Sequence, residues 1–168
     1  METLHFEIKG NILFHELRQS CSSFETNLIR IMNPGMTITY EGNLRNRAEH
    51  LKSGNTLITD APTDNHGKGE AFSPTDLLCT SLASCMITLM GISAESKGIQ
   101  LGKVHADIEK VMYSEPRRVG EIHILIRLED KGYSDREKAI LENAAMTCPV
   151  AKSLHADIKQ EINFSYTN

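Results

Sequence analysis

The sequence has no excess of positive charge. Its 168 residues include 18 lysine and arginine residues against 22 aspartate and glutamate residues, so the formal net charge is −4 at pH 7. Because nucleic acids and anionic membranes are bound through clustered positive charge, we expect neither as a partner. A chain of this length fits one domain with its own core, with or without a small appendage.

A secretory signal and a disulfide framework are also missing. The first residues, METLHFEIKG, contain no basic segment followed by an apolar stretch and a cleavage site, so we expect a cytoplasmic protein. Only four cysteines occur, at positions 21, 79, 85 and 148, and no two have the C-x-x-C spacing of a zinc site. In a reducing compartment any disulfide between them would be transient or catalytic.

Nothing in the sequence indicates a metal or a cofactor, and we predict neither. Residues 60–71 form a loop rich in proline, glycine, asparagine and aspartate, without the spacing of a nucleotide-binding loop. Five of the seven histidines fall in different predicted elements, with no i, i+4 pair and no acidic partner at ligand spacing; they are His50, His66, His105, His123 and His155. His66 is of interest because its loop lies next to the longest predicted helix.

That helix contains eighteen consecutive uncharged residues, Leu77 to Ala94. The length is near the lower limit for a membrane span, but five hydroxyl side chains and Gly91 interrupt the run, which favours a buried core helix. Its apolar surface is more than the few strands of one chain can cover, so we expect a homodimer.

The ends of this helix are marked by capping residues. Ser73 is a cap, Pro74 suits the first helical position, and Asp76 completes a capping box three residues after Ser73. Gly98 supplies the stop. The prediction is therefore a helix of about 24 residues, roughly 36 Å long at 1.5 Å per residue.

The rest of the chain predicts an α+β fold, in which antiparallel strands pack on two helices. A second helix begins at the capping box Ser134-x-x-Glu137 and runs to Thr147, and Pro149 begins a short helix, PVAKSLHA. SEPRR looks like a hairpin loop between two strands. Alternating apolar residues predict strands at 37–42, 55–60, 103–108, 121–128 and 161–166.

Residues 1–35 look like an extension to a domain that comprises residues 36–168. Their pattern predicts a hairpin that turns at Gly10-Asn11, followed by a short helix within SFETNLIRIM. The NPG sequence at 33–35 then breaks the chain before Met36.

The cysteines differ in the roles that their positions predict. Cys79 and Cys85 lie about 240° apart around the long helix, so they cannot form a disulfide within it. Cys79 and Cys21 are best interpreted as small buried residues. Cys148 directly precedes Pro149, where backbone N–H groups at a helix start stabilise a thiolate. This local argument alone nominates Cys148 as the activated thiol.

Two segments, SPTDLLCTSLASCMITLMG (73–91) and TCPVAKSL (147–154), resemble the OsmC/Ohr family of osmotically inducible and organic hydroperoxide resistance proteins. YEGNLRNRAEHLKSGNTLITDAP (40–62) looks like the strands that open that fold, so the resemblance covers about residues 36–167. It implies an intertwined homodimer in which antiparallel sheets wrap around two long central helices, with the site at the dimer interface.

The resemblance also implies an activity. In the peroxidase members, the cysteine matching Cys85 attacks an organic hydroperoxide and becomes a sulfenic acid. The cysteine matching Cys148 condenses with it to a disulfide, which a dithiol such as a lipoylated protein reduces. The implied function is cysteine-dependent reduction of alkyl hydroperoxides in oxidative-stress defence, with Cys85 as the attacking thiol.

The charged residues of such a site match less closely. Arg45 is the nearest match to the family arginine, with Arg47 as the alternative. The best-defined peroxidases have a glutamate after the proline that opens the long helix; here Thr75 stands there, and Asp76 follows as the candidate acid or only as a cap residue. A non-catalytic binder of a small apolar molecule and a redox-sensing protein remain alternative interpretations.

If the extension is dispensable, deleting residues 1–35 so that the chain starts at Met36 should leave the protein folded and dimeric. We expect the melting temperature to fall by less than about 8 °C, since 1 kcal/mol shifts a domain of this size by about 2–4 °C. Circular dichroism melting of both proteins measures the difference. A larger fall, or loss of the dimer, would show that the extension stabilises the core.

Overall fold

The computed structural model describes residues 33–167, so the predicted hairpin, the predicted first helix and Cys21 lie outside the described residues. The described chain divides into two compact units. One comprises residues 33–42 and 46–58, and the other comprises residues 43–45 and 59–167. The second unit holds both long helical segments and the candidate thiols.

Three short strands form the first sheet, in the order β1-β2-β3. They are β1 (Met36–Gly42), β2 (Arg45–His50) and β3 (Asn55–Asp60), and the predicted strands at 37–42 and 55–60 are confirmed. Between β1 and β2, Asn43 and Leu44 both have positive φ angles of 50° and 60°, as a tight two-residue turn requires. On β1, alternate apolar side chains are exposed: Met36 at 72%, Ile38 at 68% and Tyr40 at 61%.

The long helix α1 (Pro74–Lys97) has 24 residues and begins and ends as the capping pattern predicts. Ser73 and Asp76 form the reciprocal capping box, and Gly98 takes the left-handed conformation at φ 68°. By length and composition α1 could also cross a membrane. Its buried side chains, however, form the centre of the core in the second unit.

A second sheet has the order β4-β5-β6. β4 (Val104–Ser114) and β5 (Arg117–Glu129) pair antiparallel, and their ladder continues to Ser114–Arg117, so the connecting turn is only Glu115-Pro116. The predicted SEPRR loop is therefore shorter than expected, because Ser114 pairs with Arg117 and Arg118 pairs with Tyr113.

The last strand departs from the predicted antiparallel pattern. β6 (Lys159–Thr167) pairs parallel to β5, with Glu121 opposite Lys159 and Glu129 opposite Thr167. Between these strands the chain forms α2 (Asp135–Met146) and α3 (Pro149–Ser153). The helical crossover carries the chain from the end of β5 back to the edge of the sheet where β5 begins, which makes the pairing parallel. α3 is also shorter than the predicted PVAKSLHA helix, since it ends at Ser153.

The core lies between α1, the inner face of the second sheet and α2. Along β5 the side chains alternate, and the inward ones are almost completely buried, at 0–1% exposure: Ile122, Ile124, Ile126 and Leu128. Leu82, Met86 and Met90 of α1 are equally buried. Burial of each such side chain stabilises the fold by about 1.5–3 kcal/mol, so this contact fixes the position of α1.

Candidate active site

Two thiols from separate helical segments meet beside α1. Cys85 lies on α1 and is partly exposed, whereas Cys148, directly before α3, is completely buried. Their side chains lie next to each other, and the Cys148 Sγ lies 4.0 Å from the Leu82 carbonyl oxygen. Both residues are free thiols. The fold therefore places two cysteines that are 63 positions apart in the sequence next to each other.

The environment of Cys148 does not favour a thiolate. Burial raises the pKa of its thiol, and the contact with Cys85 raises it further, while the N–H groups of Ala151 and Val150 lower it by less. The prediction from local sequence that Cys148 is the activated thiol is therefore wrong. The N–H groups at the start of α3, a helix of only five residues, do not offset the loss of solvent around the sulfur.

Cys79, predicted to be a small buried residue, is 2% exposed, which confirms that prediction. Burial raises the pKa of its thiol. It lies about 240° around α1 from Cys85, so it takes no part in the thiol pair.

A polar cluster occupies the first turn of α1. The Lys110 ammonium, which comes from β4, donates to Asp76 Oδ1 at 2.5 Å and to Thr75 Oγ1 at 2.9 Å. It also approaches the Ser73 hydroxyl at 3.3 Å, and the Ser73 N–H donates to the other Asp76 oxygen at 2.8 Å. Burial raises the pKa of Asp76, but the hydrogen bonds from Lys110 and Ser73 outweigh it, so the net shift is downward. Asp76 is thus both a capping residue and an ion-pair partner.

Lys110 was not among the residues nominated from the sequence, although a signal was present. Within β4 it follows Val104, Ala106 and Ile108 at intervals of two, so the alternation places its side chain on the face of the sheet that packs against α1. A lysine in that row needs polar partners, and Asp76 and Thr75 supply them.

The polar cluster and the thiol pair lie on different sides of α1. From Asp76 to Cys85 the helix advances nine residues, which is about 14 Å along its axis and about 180° around it. Within one chain the Lys110–Asp76 ion pair therefore cannot contact Cys85.

Arg45 is held by two carboxylates. Its guanidinium donates to both oxygens of Asp60 at 2.7 Å and to Glu70 at 2.8 Å. Asp60 is 1% exposed as a side chain and also accepts the Glu70 N–H at 3.1 Å. The hydrogen bonds from Arg45 lower the pKa of Asp60 despite its burial. Among residues 33–167, no hydrogen bond joins Arg45 to Cys85.

The alternative arginine and the loop histidine lie elsewhere. Arg47 pairs with Glu41 at 2.5 Å within the first unit, and both side chains are partly exposed. His66 is exposed and ends the 3₁₀ turn Thr63–Asn65, at a left-handed φ of 60°. Of the two candidate arginines, Arg45 is the one in a buried bidentate pair.

A comparison with known protein families identifies the family to which this chain belongs. The model of the OsmC-like protein family matches residues 67–163, which include Asp76, Cys79, Cys85, Lys110 and Cys148. The chain belongs to the OsmC-like family. Arg45 lies outside the matched stretch.

Solved structures of other proteins agree with this assignment. A protein of Psychrobacter arcticus named for an osmotic stress and detoxification response is 52% identical; the match covers 78% of this chain and 95% of that one, with a TM-score of 0.74. An OsmC-like protein of Mycoplasma pneumoniae is 18% identical over 79% of this chain and 96% of that one, with a TM-score of 0.67. An organic hydroperoxide resistance protein of Legionella pneumophila is 19% identical over 77% and 96%, with a TM-score of 0.60. The last two show the shared fold alone, and no curated protein sequence matches.

The Arg45–Asp60 pair should be a larger source of stability in this OsmC-like protein than the Arg47–Glu41 pair. Arg45→Met would leave the buried Asp60 carboxylate without its bidentate partner, whereas Arg47→Met would leave Glu41 in contact with solvent. We therefore expect the urea midpoint to fall clearly for Arg45→Met and to change little for Arg47→Met. Equal midpoints would contradict this difference.

Proposed function

We propose that this OsmC-like protein reduces organic hydroperoxides through Cys85 and Cys148, in the cytoplasm and as part of oxidative-stress defence. The observation that carries the proposal is the contact between the two thiols, one partly exposed and the other buried. An attacking thiol needs access to the substrate, and a resolving thiol needs only to reach the first sulfur.

The reaction is a two-electron oxidation of the thiol pair. The Cys85 thiolate attacks the terminal oxygen of a hydroperoxide ROOH, the O–O bond breaks, and the alkoxide leaves as ROH after taking a proton. The Cys85 sulfenic acid is then attacked by the Cys148 sulfur, which forms the S–S bond and releases water. A dithiol reductant, for which a lipoylated protein is the candidate, returns two electrons and two protons by thiol–disulfide exchange.

The different environments of the thiols support this order. The raised pKa of Cys148 keeps that thiol protonated and unreactive toward the hydroperoxide. Once Cys85 is a sulfenic acid, the contact between the side chains allows condensation without a long movement of the backbone. Stopping at the disulfide prevents oxidation to the irreversible sulfinic acid.

The cation that stabilises the Cys85 thiolate is proposed to come from a second copy of the chain. Within one chain the Lys110–Asp76 pair lies about 14 Å along α1 from Cys85, on the opposite side. If two α1 helices packed antiparallel, the first turn of one would approach Cys85 of the other. Arg45, with one exposed carboxylate partner in Glu70, is the second candidate cation.

The exposed apolar surface also supports a homodimer. Met36, Ile38 and Tyr40 form an apolar row on β1, and Ile92 on α1 is 57% exposed. Beside Ile92, Gly91 has open space where a Cβ would lie, which allows close approach of another helix.

Solution scattering at micromolar concentration should give the mass of a dimer, because each copy would cover apolar surface that one copy exposes. Ile38→Glu and Thr37→Glu form a matched pair, since they are adjacent on β1 but point to opposite faces. We expect Ile38→Glu to weaken the dimer more than Thr37→Glu. A monomeric mass for the unmodified protein would contradict the prediction.

Replacement of each cysteine should impair the reaction with hydroperoxide in a different way. Cys85→Ser should abolish reaction with cumene hydroperoxide, because the attacking sulfur is absent. Cys148→Ser should still consume about one equivalent and then stall or over-oxidise, because the sulfenic acid lacks its partner. Peroxide consumption with and without dihydrolipoamide, together with mass spectrometry of Cys85, measures both outcomes.

Several controls sharpen this test. Cumene hydroperoxide should react faster than hydrogen peroxide, since apolar side chains surround the thiol pair. Thr75→Glu would place a carboxylate where the peroxidases of the family have one, and should raise the rate if its absence limits the site. If both cysteine variants failed equally to consume the first equivalent of hydroperoxide, the roles assigned to Cys85 and Cys148 would be contradicted. If the unmodified protein did not react, the peroxidase proposal would be excluded.

A further inference from the structure

One residue of β6 departs from the apolar pattern of its inner face. In the parallel pairing Gln160 lies opposite Ile122, so both side chains point toward the core, and Ile122 is completely buried. Further along the same row, Ile162 and Phe164 pack against the core. An amide in this row needs a hydrogen-bond partner inside the fold.

The partner of this amide is α3, the short helix that follows Cys148. Gln160 Nε2 donates to the Ala151 carbonyl oxygen at 3.3 Å, in a partly buried contact. A five-residue helix leaves its last carbonyl groups without a partner along the helix. The Lys152 N–H and the Ser153 hydroxyl donate to carbonyl groups nearer the start of α3. The Gln160 amide therefore joins α3 to the second sheet at a carbonyl that these internal bonds do not use.

Ala151 also faces the thiol that is proposed to resolve the sulfenic acid. Its N–H group and that of Val150 approach the Cys148 sulfur and lower the pKa of the thiol, although burial raises it by more. Ala151 thus lies between β6, where Gln160 holds its carbonyl oxygen, and the sulfur that its N–H group approaches. A shift of α3 away from the sheet would move both N–H groups relative to the sulfur.

These N–H groups matter most in the second step of the proposed reaction. The Cys148 sulfur attacks the sulfur of the Cys85 sulfenic acid, the S–S bond forms as the S–O bond breaks, and the Cys148 proton leaves with the hydroxide as water. Negative charge therefore develops on a sulfur that is removed from solvent. Since burial disfavours that charge, backbone donors directed at the sulfur offset part of the cost.

We propose that Gln160 is a positioning residue for the resolving step, because it holds the Ala151 carbonyl and so keeps the N–H groups of α3 beside the Cys148 sulfur during its attack on Cys85. The inference rests on the proposed peroxidase function and deepens it. It assigns a role in the reaction to a residue of the last strand that acts only through α3.

Two methionine variants of β6 form a matched pair. Gln160→Met keeps the length of the side chain and removes its amide, whereas Asn163→Met replaces an amide on the exposed outer face of the same strand. Both should consume the first equivalent of cumene hydroperoxide at the rate of the unmodified protein. Disulfide formation should then be slower by about threefold or more in Gln160→Met, because the donors to the developing thiolate are displaced. Rapid-quench mass spectrometry measures the disulfide and the sulfinic acid of Cys85, which should increase in excess hydroperoxide in Gln160→Met alone.

Gln160→Glu provides a second test that does not depend on the packing of methionine. The carboxylate has the shape of the amide but cannot donate to the Ala151 carbonyl, so this variant should also slow disulfide formation. Circular dichroism verifies the fold of each variant.

A thiol titration distinguishes positioning from a contribution to stability. In the Cys85→Ser background, the ¹³Cβ signal of Cys148 reports the fraction of thiolate without any hydroperoxide. At one alkaline pH, Gln160→Met should lower this fraction by about threefold, and Asn163→Met should leave it unchanged. A role in stability alone would lower the urea midpoint and leave the thiolate fraction unchanged.

The outcomes separate this proposal from the peroxidase proposal. Equal rates of disulfide formation in Gln160→Met and Asn163→Met, or equal thiolate fractions of Cys148, would overturn the role of Gln160 and leave the peroxidase proposal intact. Absence of any reaction between the unmodified protein and cumene hydroperoxide would overturn both.

Discussion

The 3.6-residue repeat of α1 determines which chemical groups of this protein can meet. The helix is anchored by Leu82, Met86 and Met90, which pack into the core with the inward side chains of β5. Once that side is fixed, Cys85 must face α3, while the first turn must face β4. The thiol pair and the ion pair of Lys110 are therefore consequences of one buried contact.

Burial and helix termini act on the same sulfur in opposite directions, and burial is the stronger at Cys148. Backbone N–H groups of Val150 and Ala151 do approach the thiol, as the position before Pro149 predicts. Removal of the sulfur from water has the larger effect, because a thiolate is stabilised by solvent more than by a single helical turn. The result suits a thiol that reacts only after its partner has been oxidised.

Much of the fold follows from local pattern. The capping boxes at Ser73 and Ser134 predict both helix starts, because each box satisfies backbone groups within four residues. The alternation in β5 predicts its buried face in the same way.

The parallel pairing of β6 could not be predicted from such patterns, because it depends on where α2 and α3 return the chain and not on the residues of the strand. Likewise, the Lys110–Asp76 contact joins residues 34 positions apart, and the thiol contact joins residues 63 apart. Only the resemblance of the two cysteine segments to a known family linked Cys85 with Cys148.

The parallel pairing of β5 with β6 has a consequence for the order in which the protein is made. Cys148 lies in the crossover between these strands, and β6 follows it in the chain. A crossover is fixed in space only when both of its strands are in the sheet, and the chain emerges from the ribosome amino terminus first. Cys85 is therefore synthesised and placed in a helix before Cys148 has its final position. Until β6 has been synthesised and paired with β5, Cys85 lacks its contact with Cys148, and a sulfenic acid formed on Cys85 by the proposed reaction would have no intramolecular route to a disulfide.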